Sequence, residues 1–244
     1  GSLLQVETDA LIARFQLGET GELLQFNLSR DTTLTTLINE RFGWRILSHE
    51  RRGSQPVASA ADGRPVPSRL AGINYYPATT PWTGFWSGFD ARIIARDFAQ
   101  ITDIGANAVR IFLHRETFLD PATAPRALSD LAALLDIAEA QGLSVIPTLF
   151  DLRGGYGAVG WANDADWLAR VLPVLAASRA VAYVDLKNEP DRDMEHDDPG
   201  QVAAWARAML GETRTIARAL PYTIGASPPE APGPLADTLD LLRY

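Results

Sequence analysis

Cysteine is absent from this chain of 244 residues, which excludes disulfides, thiol nucleophiles and cysteine-ligated zinc. The absence leaves the compartment open, because cysteine-free proteins occur on either side of a membrane. Lysine is almost absent too: Lys187 stands alone, and the other side chains that are fully cationic at neutral pH are arginines. No run of basic residues occurs, and the net charge of −8 argues against nucleic acid or an anionic membrane as a partner. A neutral ligand fits better. No apolar run approaches the roughly 18 residues of a membrane span, and no signal-peptide pattern opens the chain. The leading Gly1-Ser2 reads as an expression scar. His49, His114 and His196 show no metal-ligand spacing, and no glycine-rich phosphate loop follows the first strand-like run, so neither metal nor other cofactor is expected.

What the chain has is 46% apolar residues, enough at this length to bury a sizeable core. Residues 1–68 read as an N-terminal extension and linker, with no chemistry assigned. Ala10–Leu17 and Glu22–Leu28 suggest two strands around Gly18-Glu19-Thr20-Gly21, Thr32–Phe42 suggests a short helix, and Arg51–Ser68 has linker composition. From residue 69 the pattern becomes regular. Strand-like runs at Leu70–Tyr75, Ala108–Leu113, Leu143–Phe150, Val181–Lys187, Tyr222–Ala226 and Thr238–Leu242 alternate with helical stretches at Asp90–Ile104, Ala127–Gln141, Asp164–Ser178 and Gln201–Ala219. Continuous apolar strands alternating with amphipathic helices predict a parallel sheet covered by helices, doubly wound or closed as a barrel. Polar residues gather after several strand ends: Asn74, Tyr75 and Tyr76, then Arg115 and Glu116, then Asp151, then Asn188 and Glu189. Many contributing strand ends favour a (β/α)8 TIM barrel over an open sheet, which concentrates its site at one switch point.

The run Val181–Asp191 ends on Asn188, Glu189 and Pro190. Proline cannot continue a sheet ladder and keeps the preceding residue out of the right-handed helix, so Glu189 is placed at a strand tip facing a mouth. The aromatics Tyr75, Tyr76, Trp82, Phe85 and Trp86 follow the first run, and Tyr156 and Trp161 lie in the loop after the third. Exposed aromatics in such loops suit the C–H faces of sugar rings, whereas Trp167 and Trp205, within helical stretches, read as core.

The ordered set Gly72-Ile73-Asn74-Tyr75-Tyr76-Pro77, Gly105–Phe112, Thr148-Leu149-Phe150-Asp151 and Leu186-Lys187-Asn188-Glu189-Pro190 resembles the cellulase-like glycoside hydrolases of family 5 and the wider clan A. The resemblance runs over residues 69–244. It implies a retaining hydrolase of β-linked polysaccharide or oligosaccharide, with Glu189 as general acid/base, Asn188 on the sugar 2-hydroxyl, and Arg110 under the nucleophile. It implies substrate contacts from Tyr75, Tyr76, Trp82, Trp86, His114, Asp151, Trp161 and Tyr244. A secreted or periplasmic location is expected in preference to a cytoplasmic one. Retaining hydrolysis needs one carboxyl protonated and a second ionised, about 5–5.5 Å apart.

Plainer readings stand beside these. Glu189 could be a surface acid, Arg110 could form a structural ion pair with Asp185, and Lys187, two residues before Glu189, is expected to pair with Asp185. The family pattern also calls for a second glutamate after a seventh strand, and no segment here corresponds to it. Arg243 stands where a histidine is expected, and Glu230 reads as a loop residue. Residues 69–244 hold about six βα units, short of the roughly 250 residues of a whole barrel. Unpaired edges of such a sheet would favour self-association. A catalytically inactive carbohydrate-binding homologue and a doubly wound metabolite binder are the alternatives.

Overall fold

The computed structural model describes residues 70–225 throughout and, before them, four strands: β1 (Ser2–Thr8), β2 (Leu11–Leu17), β3 (Leu23–Ser29) and β4 (Ser48–His49). The helix expected over Thr32–Phe42, the linker, the sixth strand over Thr238–Leu242, and Glu230, Arg243 and Tyr244 lie outside the described residues.

Five parallel strands form the frame: β5 (Gly72–Asn74), β6 (Ala108–Phe112), β7 (Ser144–Phe150), β8 (Val184–Asn188) and β9 (Tyr222–Gly225). They are hydrogen-bonded in chain order, with Ile73 beside Val109, Val109 beside Val145, and Asp185 between Thr148 and Thr223. The expected hairpin forms as the antiparallel pair β2–β3, with Phe15 opposite Phe26. Two strands, β1 and β4, were not anticipated. β1 runs antiparallel along β5, Val6 opposite Ile73, so the edge expected to be open is occupied.

Helices fill the crossovers where the sequence periodicity places them. α1 (Ala91–Asp103) is capped by Asp90, whose carboxylate accepts from the Arg92 N–H at 2.8 Å, and it buries Ile94, Phe98 and Ile101 at helical spacing. A short helix α2 (Arg115–Leu119) precedes α3 (Ala124–Ala140), which ends just before Gly142, at φ +71°. α4 (Trp161–Ala177), the one-turn α5 (Pro190–Asp193) and α6 (Pro199–Ile216) complete the set. Alternation along the strands sends Val109, Ile111, Val145, Leu149, Leu186 and Ile224 into the apolar layer beneath the helices. The opposite face carries Arg110, Thr148, Asp185 and Thr223, a polar interior of the kind a barrel fills with function. Among the described residues no helix is long and apolar enough to cross a membrane.

α4 begins three residues before its expected start, and this changes the role of Asp164. It is no terminal residue but sits on the buried stripe with Trp167, Leu168 and Val171, fully covered. Its carboxylate accepts from Arg153 Nε at 2.8 Å and Trp205 Nε1 at 2.8 Å, and pairs with Arg115. One helix residue thus anchors the segments that follow β6 and β7. Removing it would leave two arginines facing a buried void, a loss of about 3–5 kcal/mol. Asp164→Ala should therefore lower the urea midpoint strongly, whereas a change at the exposed Asp120 should leave it in place.

Candidate active site

Strands β6 to β9 gather one connected polar group. Arg110 projects from the middle of β6 and pairs with Asp185 of β8; its Nη2 also donates to Asn188 Oδ1 at 3.0 Å. Asn188 Nδ2 donates to Asp151 Oδ1 at 3.0 Å, which ties the tips of β7 and β8 together. Asp185 accepts further bonds from Thr148 Oγ1 and the Gly225 N–H, both at 2.9 Å, so its buried charge is fully partnered. The fit at Gly225 is close: a Cβ would lie 3.2 Å from Arg110 Nη2 and 3.3 Å from Asp185 Oδ2, so those side chains would have to shift by a few tenths of an ångström.

The structural ion pair is thus present, and Arg110 meets Asn188 as well. Only Nη2 makes these two bonds, which among the described residues leaves Nε and Nη1 as further donors. Lys187 departs from expectation. It pairs not with Asp185 but with Asp193 at 2.9 Å: Arg110 already occupies Asp185, and the strand register shifts between Asp185 and Asn188.

Glu189 follows the last residue of β8, exposed at the mouth, with left-handed backbone (φ 48°, ψ 54°). A non-glycine residue there costs on the order of 1–3 kcal/mol, and the following proline disfavours it further. Trp82 is the other non-glycine residue with positive φ, at 54°, among the described residues. Glu189 directly follows β8, and Trp82 opens a short helical turn in the loop after β5.

Trp82 is 53% exposed and stacks on Tyr76, planes 4° apart and centroids 6.2 Å apart. Tyr76 stacks in turn on Phe112 at 5.3 Å, and the Arg110 guanidinium lies 4.6 Å over the Phe112 ring. A continuous stack therefore leads from the polar group to an open indole face. Burial, followed by the Asp151 carboxylate, raises the Tyr76 phenol far above its ordinary range, so it remains a neutral donor.

Two expected substrate contacts are corrected. Tyr75 is buried under α1 and donates to Asp97 Oδ2 at 3.0 Å, because its position in the alternation points to the helical layer. Trp86 is also buried, its Nε1 donating to the Phe112 carbonyl at 2.9 Å, since the loop after β5 folds back on the sheet end. Phe85 packs with it, and Trp167 and Trp205 are core as anticipated. Trp161 is half-buried at the start of α4 and donates to the Tyr156 carbonyl at 3.1 Å. Tyr244 lies outside the described residues.

His114 and Asp151 line a shallow cleft with Arg115, Glu116 and Arg153. His114 is buried, and among the described residues neither ring nitrogen has a hydrogen-bond partner. Burial lowers its pKa, opposed by the Asp151 and Glu116 carboxylates; burial likewise raises that of Asp151, opposed by the Asn188 hydrogen bond, His114, Lys187 and Arg110. Sequence reasoning missed Asp193 and Asp164. The second was readable, since Asp164, Trp167, Leu168 and Val171 share one helical face.

No protein-family model matches the chain, and no curated protein matches it. Solved structures do. An exo-β-1,4-mannosidase from Opitutaceae bacterium strain TAV5 superposes with a TM-score of 0.59 at 24% identity, over 71% of this chain and 34% of that one. A GH5_18 protein from Streptomyces cattleya, in complex with Manβ1-4GlcNAc, gives 0.55 at 23%, over 64% and 44%. A GH5_18 protein from Bifidobacterium longum subsp. infantis gives 0.53 at 19%, over 64% and 43%. This chain therefore spans less than half the length of each. At such identity the likeness establishes the fold: the five parallel strands and their helices are arranged as in a TIM barrel.

A His114 held below its ordinary value of about 6.5 binds its proton more readily in the unfolded chain. Its contribution is complete above that value and is lost as pH falls below it. Urea midpoints at pH 7.5 and 5.5 should thus fall further for the wild type than for His114→Phe; equal falls would exclude the effect.

Proposed function

We propose that this protein is a retaining glycoside hydrolase acting on β-linked oligosaccharide or polysaccharide, with Glu189 as general acid/base. The observation that carries the reading is the placement of backbone strain: the two left-handed non-glycine residues among those described are an exposed carboxylate directly after β8 and an exposed tryptophan in the loop after β5, which the aromatic stack links to the Arg110 cluster. Strain of this kind persists where function requires a side chain to be aimed. Sugar-cleaving and sugar-bound structures among the structural neighbours are consistent with it.

The residues divide the work as follows. Glu189 donates a proton to the glycosidic oxygen as the bond breaks, then takes one from the water that releases the sugar. Asn188, its amide fixed at one oxygen lone pair by Arg110 and at one N–H by Asp151, presents its second N–H to a sugar hydroxyl. The spare donors of Arg110 suit a second carboxylate, the nucleophile, which is not assigned among the described residues. Trp82 and Tyr76 offer a stacking face for a neighbouring sugar ring, and Asp151 provides an acceptor for hydroxyls in the cleft that His114 backs. The residues before 70 are read as an extension to this barrel unit, and the location as secreted or periplasmic.

Turnover of aryl β-glycosides, β-mannosides included, tests the reading. Glu189→Gln should reduce kcat about 100- to 10,000-fold while glycan binding by calorimetry is kept. Turnover equal in the two proteins, with binding intact, would leave a carbohydrate-binding protein instead.

A further inference from the structure

Lys187 is the one lysine of the chain, and its side chain is 2% exposed although it ends in a charge. Three oxygens converge on the ammonium: the Asn188 carbonyl at 2.5 Å, Asp193 Oδ2 at 2.9 Å and the Asp151 carbonyl at 3.0 Å. An ammonium has three donors on a compact centre, so this set is complete. A planar guanidinium presents its donors in one fork and does not fit acceptors converging from the tips of two strands and a helical turn. A chain that otherwise uses arginine for its fully charged cations thus keeps a point charge at one place.

The place matters because of what lies on either side. The Asn188 carbonyl belongs to the peptide that leads into Glu189, and Asp193 closes the single turn of α5 that begins at Pro190. Lys187 therefore bridges across Glu189, from the residue before it to the turn after it. Two backbone bonds complete the frame: the Glu189 N–H donates to the Gly225 carbonyl at 2.6 Å, and the Arg192 N–H donates to the Glu189 carbonyl at 3.1 Å. Asp193 is itself held by the Tyr156 hydroxyl. A pre-proline residue left to itself favours extended backbone, so something must hold the left-handed turn.

We infer that Lys187 is a positioning residue: its ammonium holds Glu189 in the left-handed conformation and thereby aims the acid into the mouth. The functional half of this inference rests on the glycosidase reading; the conformational half does not. Its charge is met by Asp193, so it acts through geometry.

The chain contains a single Glu-Pro pair, Glu189-Pro190, which allows one residue to be observed in the full-length protein by pairwise isotope labelling. The 13Cα and 13Cβ shifts of Glu189 are measured in the wild type, Lys187→Met, Lys187→Arg and Asp193→Asn, with folding checked by urea midpoint. Left-handed values are expected in the wild type. Lys187→Met and Lys187→Arg should both move to extended pre-proline values, and Asp193→Asn, which keeps both carbonyl bonds, should move less. In kinetics, Lys187→Arg should lose about 100-fold in kcat with KM within twofold. Unchanged Glu189 shifts in a folded Lys187→Arg or Lys187→Met protein would overturn the inference, as would shifts that move while kcat is kept. An inactive wild type would refute the glycosidase reading alone, and the shifts would still decide whether Lys187 sets the turn.

Discussion

An ion pair that reaches across β7, from β6 to β8, fixes this sheet. Arg110 and Asp185 face one another on the polar side of β6 and β8, with Thr148 of β7 and the backbone of β9 completing the shell around the carboxylate. Desolvating two charges is costly, and a pair of this kind adds little net stability over an apolar substitute. What it supplies is register. The carboxylate is satisfied only when four strands stand at their observed heights, and that alignment brings Asn188, Asp151 and Glu189 to one rim. The close approach at Gly225 shows how little slack the arrangement has.

Much of this was legible in the sequence because strand and helix periods are local properties. The five parallel strands and the four long helices fall where apolar runs and helical stripes place them, with a glycine stop at Gly142, at positive φ. The tip position of Glu189 follows from Pro190. What was not legible depends on direction in space. Tyr75 and Tyr76 are adjacent in sequence and opposite in role, one under α1 and the other in the aromatic stack, and only alternation at a three-residue strand separates them. Lys187 was matched to the nearest acid in sequence, Asp185, when a helical turn had brought Asp193 closer. Trp86 looked like a loop aromatic because the fold-back of its loop is a tertiary event.

The rim is built from two kinds of support. Below it, Asp164 ties Arg115 and Arg153 to α4 and so holds the loops after β6 and β7 from the helical layer. At the rim itself, Lys187 and Asp193 hold the turn that carries the acid. Arg115 and Arg153 also line the open cleft beside Asp151. Trp82 and Glu189 are exposed and Asp151 is half-exposed, which leaves an indole face and carboxylate oxygens for a ligand.

The central claim is that Glu189 faces a sugar bound across these strand ends. A crystal structure of Glu189→Gln soaked with a β-linked disaccharide tests it most directly. The account predicts the glycosidic oxygen within about 2.6–3.2 Å of the side chain at position 189, with one ring against Trp82. A disaccharide bound away from the rim of β5 to β8, or seated there with its glycosidic oxygen beyond reach of that side chain, would contradict it.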